Sequence, residues 1–201
     1  PSLFRYTAAS PRAQAVKGVQ AVVQVPTDHG GSGVAVIANG FWPAKTGRDA
    51  LDIKWTLPAG ASTEALLAQY RQLATQPGNS ARADGSAEAI KSAARTLNAE
   101  FEFPYLAHAA MEPLNATVDL KADALTIWCG SQFQTVDHAT AAKALGLAPD
   151  KVKLHTMPAG GGFGRRANPA SDYVFEACEI AREAKVPVKV IWTREDDIRG
   201  G

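Results

Sequence analysis

Along this chain the period of the apolar positions changes several times, and each change marks a predicted element. Valine-rich runs at 19–25 (VQAVVQV) and 33–38 (GVAVIA) read as strands on either side of the turn-prone PTDHGGSG, with Asn39-Gly40 breaking the second. Ahead of them, Ser10-Pro11 has the cap-then-first-position arrangement of a short helix, which Gly18 closes. PAKTGRDAL predicts a helix with Pro43 near its first turn, and LDIKWTL (51–57) alternates like a strand. Strand, helix and strand in that order predict a βαβ-type element packed on a small sheet.

The next apolar set has helical spacing: Leu66, Leu67, Tyr70, Leu73 and Ala74, capped by Ser62 or Thr63 and ended by Pro77-Gly78. The small and polar run 79–89 reads as a mobile linker crossing the surface between two domains. Beyond it, Leu97, Ala99, Phe101, Phe103 and Tyr105 alternate with Asn98, Glu100 and Glu102, which predicts a half-buried strand. NATVDL and LTIWC bracket the turn KADA as a hairpin, TVDHATAAKALG reads as a helix closed by Gly146, and KVKLHTM as a strand. Asn168-Pro169 then opens a helix that places Val174, Ala177, Cys178, Ala181 and Ala184 on one face, and PVKVIWT (187–193) is the last strand. The pattern predicts a mixed α/β (α+β) fold in three parts: 1–58, a helix and linker over 59–91, and 92–201.

With 201 residues, a formal net charge of +1 and 46% hydrophobic residues, the chain has the balance of a globular protein. It carries no basic excess for nucleic acid and no apolar run long enough for a transmembrane helix. It opens on Pro1 with neither an initiating Met nor a leader and stops just after an apolar strand, so a fragment of a longer polypeptide is expected. Cys129 and Cys178 form no C-x-x-C pair and read as buried small hydrophobes. His29, His108, His138 and His155 lack metal-ligand spacing, so no zinc or iron–sulfur site is expected from this chain alone.

One stretch stands apart. MPAGGGFGRRANPAS (157–171) puts four glycines in five positions and follows them with Arg165 and Arg166. Such a backbone can approach a ligand without a Cβ in the way. It is not a P-loop, because no Lys-Ser or Lys-Thr follows, and not a dinucleotide fingerprint, because the third glycine position from Gly160 and Gly162 is Arg165. The plain alternative is a tight strand-to-helix connection. Phe163, a large apolar side chain in an otherwise bare loop, is expected to wedge against something flat or buried. The arginines are five-donor groups suited to phosphate or carboxylate, with a solvated surface as the plain alternative. YLAHAAMEP (105–113) and WCGSQ (128–132), each at a predicted strand end, complete the set.

PYLAHAAMEP, TIWCGSQ, GGGFGRR and PVKVIWTRED, in that order, resemble the molybdopterin-binding large subunit of the xanthine dehydrogenase/aldehyde oxidase family. The double arginine with WTREDD downstream is most similar to the isoquinoline 1-oxidoreductase beta-subunit branch; the xanthine dehydrogenase form is closer to GGGFGGK. AVKGVQAVVQV and VAVIANGFWPAKTGRDALDIKW resemble the family's α/β hammerhead domain, which would be followed by the start of the molybdopterin-binding domain. The likeness spans nearly the whole chain and is weakest over 76–95.

The resemblance implies hydroxylation of an N-heteroaromatic or aldehyde carbon with water as oxygen source. The cofactor would be molybdenum on a molybdopterin dinucleotide, in the cytosine form, with electrons leaving through iron–sulfur clusters on a small partner subunit. Gln132 matches the family glutamine whose amide reaches a molybdenum oxo ligand, an uncharged donor. Gly161, Gly162, Phe163 and Gly164 match the loop passing close to the metal, and by the same resemblance the Arg165–Arg166 pair would make cofactor-phosphate or domain contacts. His108, Met111, Glu112 and Pro113 form the other signature, with Glu112 architectural, buried and hydrogen-bonded behind the site rather than the base. The general-base glutamate belongs to a late G-x-G-E-like segment not found here, and REDD (194–197) reads as a strand-end acidic cluster. Alone, the chain is expected to be inactive.

The contrasting readings are a non-catalytic α/β binding or assembly module whose glycine loop is only a turn, and an anion- or nucleotide-binding protein using the arginine pair. Substrate and electron acceptor stay unassigned. Location stays open between periplasmic or membrane-associated, by family likeness, and cytoplasmic.

Overall fold

The computed structural model describes residues 10–55 and 62–200. The chain divides into two compact units, 1–57 together with 107–201, and 58–106.

The first unit begins with a single-turn helix α1 (Pro11–Gln14) and a hairpin of β1 (Val19–Pro26) and β2 (Ser32–Ala38), antiparallel with Val22 opposite Val36. Helix α2 (Phe41–Asp49) packs on the hairpin through Gly47, where a Cβ would come within 2.8 Å of Val19 Cγ2 and 2.9 Å of Val36 Cγ1. The expected βαβ element is not formed. A hairpin closed by a short turn needs no crossover helix, and residues 51–55 join no strand. The rest of that predicted strand, 56–57, lies outside the described residues.

A four-stranded sheet in the order β5-β4-β3-β6 forms the body of this unit. Its strands are β3 (Asn115–Leu120), β4 (Leu125–Cys129), β5 (Val152–Thr156) and β6 (Val188–Ile191). β3 and β4 pair antiparallel through the expected KADA turn, closed by a bond from Lys121 N–H to Ala124 O of 2.8 Å. Helix α4 (Gln134–Leu145) carries the crossover to β5, which runs parallel to β4, and ends at Gly146 with φ +65°. Helix α5 (Asp172–Ala184) lays Val174, Ala177, Cys178 and Ala181 against Ala116, Val118, Ile127 and Cys129 of the sheet. This face is fully buried, as the one-sided spacing predicts.

WTREDD behaves differently from expectation. Thr193 caps a short helix α6 (Arg194–Arg199) in a reciprocal capping box with Asp196. The acidic residues are the first turn of a helix, where the dipole favours them, and not a strand-end cluster. Arg48 of α2 reaches the same cap, bonding Thr193 Oγ1 at 3.3 Å and pairing with Asp196.

The second unit holds helix α3 (Thr63–Ala74), capped by Ser62 Oγ accepting from Ala65 N–H at 3.1 Å, and a 3-10 turn at Ala87–Ser92. The strand expected over 97–105 does not form: the segment pairs with no other strand among the described residues, with Phe101 77% and Phe103 80% exposed. Alternation encodes two faces, yet a strand also needs a ladder partner, and none is supplied among the described residues. Side chains hold it to α3 instead, Tyr70 and Tyr105 hydroxyls meeting at 2.7 Å and Arg71 reaching Glu102 at 2.6 Å.

Candidate functional site

The parallel pair β4 and β5 has its C-terminal ends at one edge of the sheet. The segment 130–132 leaves β4 there, and the glycine run leaves β5. Because β3 is antiparallel to β4, the residues entering β3, 108–114, arrive at the same edge. Topology therefore brings together the three motifs that the sequence singled out.

The contact between Gln132 and the glycine loop is the tightest of these. Gln132 Oε1 accepts from Gly164 N–H and from Arg166 N–H, both at 3.3 Å, and its backbone N–H donates to Arg166 O at 3.1 Å. With the amide oxygen so held, Nε2 has no partner among the described residues. Gly162 lies so close that a Cβ there would come within 2.3 Å of Gln132 Oε1. The glycine is required by the amide beneath it.

Glu112 holds the other side of the loop. Its Oε2 accepts from Gly160 N–H at 2.8 Å and from Arg166 Nη2 at 3.0 Å, and its Oε1 from Asn115 Nδ2 at 3.0 Å. Gly160 N–H and the Asn115 amide hold the Glu112 carboxyl below the ordinary carboxylate range, with smaller help from Arg166 and Lys189 against a partial burial that opposes it. Glu112 is hydrogen-bonded at the back of the loop, as expected. It is not buried, since 38% of its side chain is exposed.

Neither arginine lies on a solvated surface. Arg166, 1% exposed, donates through Nε to Gly161 O at 2.9 Å and through Nη2 to Glu112 O at 2.9 Å, in addition to the carboxylate. Arg165 forms a two-pronged pair with Asp172 at 3.1 and 2.8 Å, with its guanidinium 5.5 Å above the ring of Trp192. Arg165 is a strut between the loop and α5, and its exposure of 7% leaves it no open face for a phosphate. Arg194, which sequence reasoning passed over, donates to Ala110 O and, at 2.9 Å, to Met111 O, while pairing with Asp197 at 2.7 Å. Two arginines thus clamp three consecutive carbonyls, 110 to 112. The signal for Arg194 was the T-x-x-D capping pattern, which turns its side chain back from a helix start.

Phe163 does not wedge inward. It has φ +55° and is 78% exposed, beside Gly161 at +103° and Gly164 at +99°. Among the described residues, the N–H groups of Gly161, Gly162 and Phe163 have no acceptor. His108 borders the loop, its Nε2 3.8 Å from where a Gly164 Cβ would stand, and Met111 is 89% exposed. The exposed edge therefore presents free N–H donors, a free carboxamide and uncovered apolar side chains. Behind it, burial pushes the Cys129 thiol up to about 11, which keeps it an unreactive thiol.

A family model described as a molybdopterin cofactor-binding domain matches residues 72–200, more than half of the chain. Isoquinoline 1-oxidoreductase subunit beta of Brevundimonas diminuta is 42% identical over 101 residues, 50% of this chain and 13% of the relative. A membrane-bound aldehyde dehydrogenase (pyrroloquinoline-quinone) of Gluconacetobacter polyoxogenes is 31% identical over 172 residues, 83% of this chain and 22% of the relative. The chain thus spans less than a quarter of the length of these relatives. Among solved structures, quinoline 2-oxidoreductase from Pseudomonas putida 86 superposes with a TM-score of 0.68 at 19% identity, over 96% of this chain and 30% of that one, which establishes the fold.

Proposed function

The chain belongs to the molybdopterin cofactor-binding domains of the xanthine dehydrogenase/aldehyde oxidase family, and from that premise we propose that it builds one wall of a molybdenum hydroxylase centre. The residues present fit such a group. A cofactor rich in oxygen and sulfur acceptors is matched by donors that the fold leaves unused. These are Gln132 Nε2 and the N–H groups of Gly161, Gly162 and Phe163. The observation that carries the reading is the locking of Gln132 Oε1 by Gly164 and Arg166, which commits the amide nitrogen to an outside acceptor.

When bound, the molybdenum centre supplies a two-electron sink for oxidation of a substrate carbon, and the chain's own residues orient it. Gln132 offers an uncharged donor at a fixed position. The loop amides offer fixed dipoles that need no reorganisation. Glu112, already ionised and fully hydrogen-bonded, positions the loop and has no proton to move; the general base is expected outside this chain. The uncovered Phe163 and Met111 give apolar contact surface for cofactor or substrate.

On this reading the cofactor is the cytosine dinucleotide form, and residues 1–58 belong to a hammerhead-like domain. Oxygen comes from water, electrons leave to a small iron–sulfur subunit, and the substrate is an N-heteroaromatic or an aldehyde. The quinone in one relative's name marks the competing cofactor. The full-length protein, produced with its small subunit under molybdate, tests both: about one molybdenum and one released cytosine nucleotide per chain is expected, and a quinone with no metal would overturn the proposal.

A further inference from the structure

The chain leaving β6 runs beside the chain entering β3. Ile191 stands opposite Asn115, and Trp192 N–H donates to Leu114 O at 3.0 Å. There the backbone turns into α6 and the pairing ends, but the Arg194 side chain continues it. Its Nη2 donates to Ala110 O and, at 2.9 Å, to Met111 O. Among the described residues no other donor reaches these two carbonyls. The other nitrogen, Nη1, is taken by the buried Asp197 carboxylate at 2.7 Å, which fixes the direction of the guanidinium fork. Ala110 in turn packs against the glycine loop: a Cβ on Gly161 would stand 3.2 Å from the Ala110 Cβ. Arg194 is thereby one residue removed from the free N–H of Gly161.

The same short helix is fastened from its other side. Arg48 on α2 donates through Nη1 to Thr193 Oγ1 at 3.3 Å and pairs with Asp196, and these two side chains form the capping box. A helix of six residues does not hold its own start, so the cap and its attachments set where α6 begins. Arg194 is the first residue after that cap. We propose that Arg194 is a positioning residue for the glycine loop and that Arg48 governs it through the cap of α6, so that α2 is linked to the donor edge. The role rests on the reading of that edge as facing the cofactor, whereas the link from α2 to the loop does not. The two arginines differ in weight. The Arg48–Asp196 pair is open to water on both sides, 34% and 41% exposed, so losing it loosens the cap. Losing Arg194 strips two carbonyls of their donor and leaves the buried Asp197 unpaired.

Hydrogen exchange in the full-length protein, read by mass spectrometry on the peptide covering the glycine loop, tests the link with Arg194→Met, Arg48→Met and the double variant. Arg194→Met is expected to speed exchange in that peptide about tenfold and Arg48→Met about threefold. The α4 peptide, which neither arginine touches, should exchange as in the wild type. The double variant should match Arg194→Met alone, because Arg48 acts through it. Unchanged loop exchange in Arg194→Met, or equal acceleration in α4, overturns the proposal, and accelerations that multiply in the double variant overturn the part played by Arg48. Exchange is read without need of a cofactor, so a wild-type protein that held no molybdenum would sink the reading of the site and leave the link standing. In the metal-loaded protein, Arg194→Met should lower kcat per bound molybdenum about tenfold with KM within about twofold, and Arg194→Lys should restore part of it. Turnover that falls only in step with lost metal overturns the positioning role.

Discussion

Arg166 and Glu112 meet at 3.0 Å at the base of the glycine loop, the guanidinium 1% exposed and the carboxylate side chain 38% exposed. The pair is unequal, and so are the consequences of breaking it. Arg166→Met frees Glu112, Gly161 O and Glu112 O at once and is expected to destabilise by about 2–4 kcal/mol, below the extreme for fully buried pairs because water reaches Glu112. Glu112→Gln keeps an acceptor for Gly160 and should cost about 1 kcal/mol. Chemical denaturation of the two variants separates them. Because the folded Glu112 carboxyl titrates below its ordinary 4.5, its contribution is present above that pH and lost as pH falls further. Glu112→Gln should therefore flatten the acid limb of stability below about pH 4.5.

Glu176 has the opposite sign. Burial first, then Asp172 and Asp28 nearby, push its carboxyl up to about 7, with Arg165 opposing. The fold binds a proton there that the unfolded chain releases, so stability falls as pH rises from about 4.5 to 7. Glu176→Gln should remove that decline and stabilise the protein by about 2 kcal/mol at pH 8, after discounting for partial exposure. Equal pH profiles for the two proteins would contradict the assignment.

Gln132→Glu separates holding from donating. A carboxylate still accepts from Gly164 and Arg166 N–H, so the loop should keep its conformation, but the outward donor is gone and a charge replaces it. In the full-length, metal-loaded protein, turnover should fall by about 10²-fold or more with the unfolding midpoint nearly unchanged. Retained turnover would remove Gln132 from the site.

Gly162→Ala needs no change of backbone handedness, so its effect is steric alone. The added Cβ would stand 2.3 Å from Gln132 Oε1 and 2.6 Å from Cδ. The amide must swing out, releasing Gly164 and Arg166 N–H at a cost of about 1–3 kcal/mol. Amide hydrogen exchange at Gly164 reads this directly: faster exchange is expected in the variant.

Much of this was legible in the sequence. The β3–β4 hairpin announced itself through KADA, α4 through Gly146, and the buried stripe of α5 through Val174, Ala177, Cys178 and Ala181, because each depends on local turn chemistry or on burial against a neighbouring element. Other readings went astray where they depend on partners that the sequence does not name. Phe101, Phe103 and Tyr105 alternate correctly, but pairing is not encoded in one strand. The run 51–55 has the same defect. For Arg165 the sequence left cofactor phosphate and domain contacts both open, and Asp172 seven residues on takes the guanidinium inward. Arg166 and Arg194 were illegible as clamps because their acceptors are backbone carbonyls that topology alone delivers. The dual hold on Gln132 Oε1, on which the functional reading depends, likewise appears only once β4 and β5 lie side by side.

The most direct measurement is a crystal structure of the full-length protein with its cofactor bound. The account predicts Gln132 Nε2 within about 3 Å of an acceptor on the molybdenum centre, with Oε1 still held by Gly164 and Arg166. A cofactor bound away from this edge, with Gln132 Nε2 facing only solvent, would contradict it.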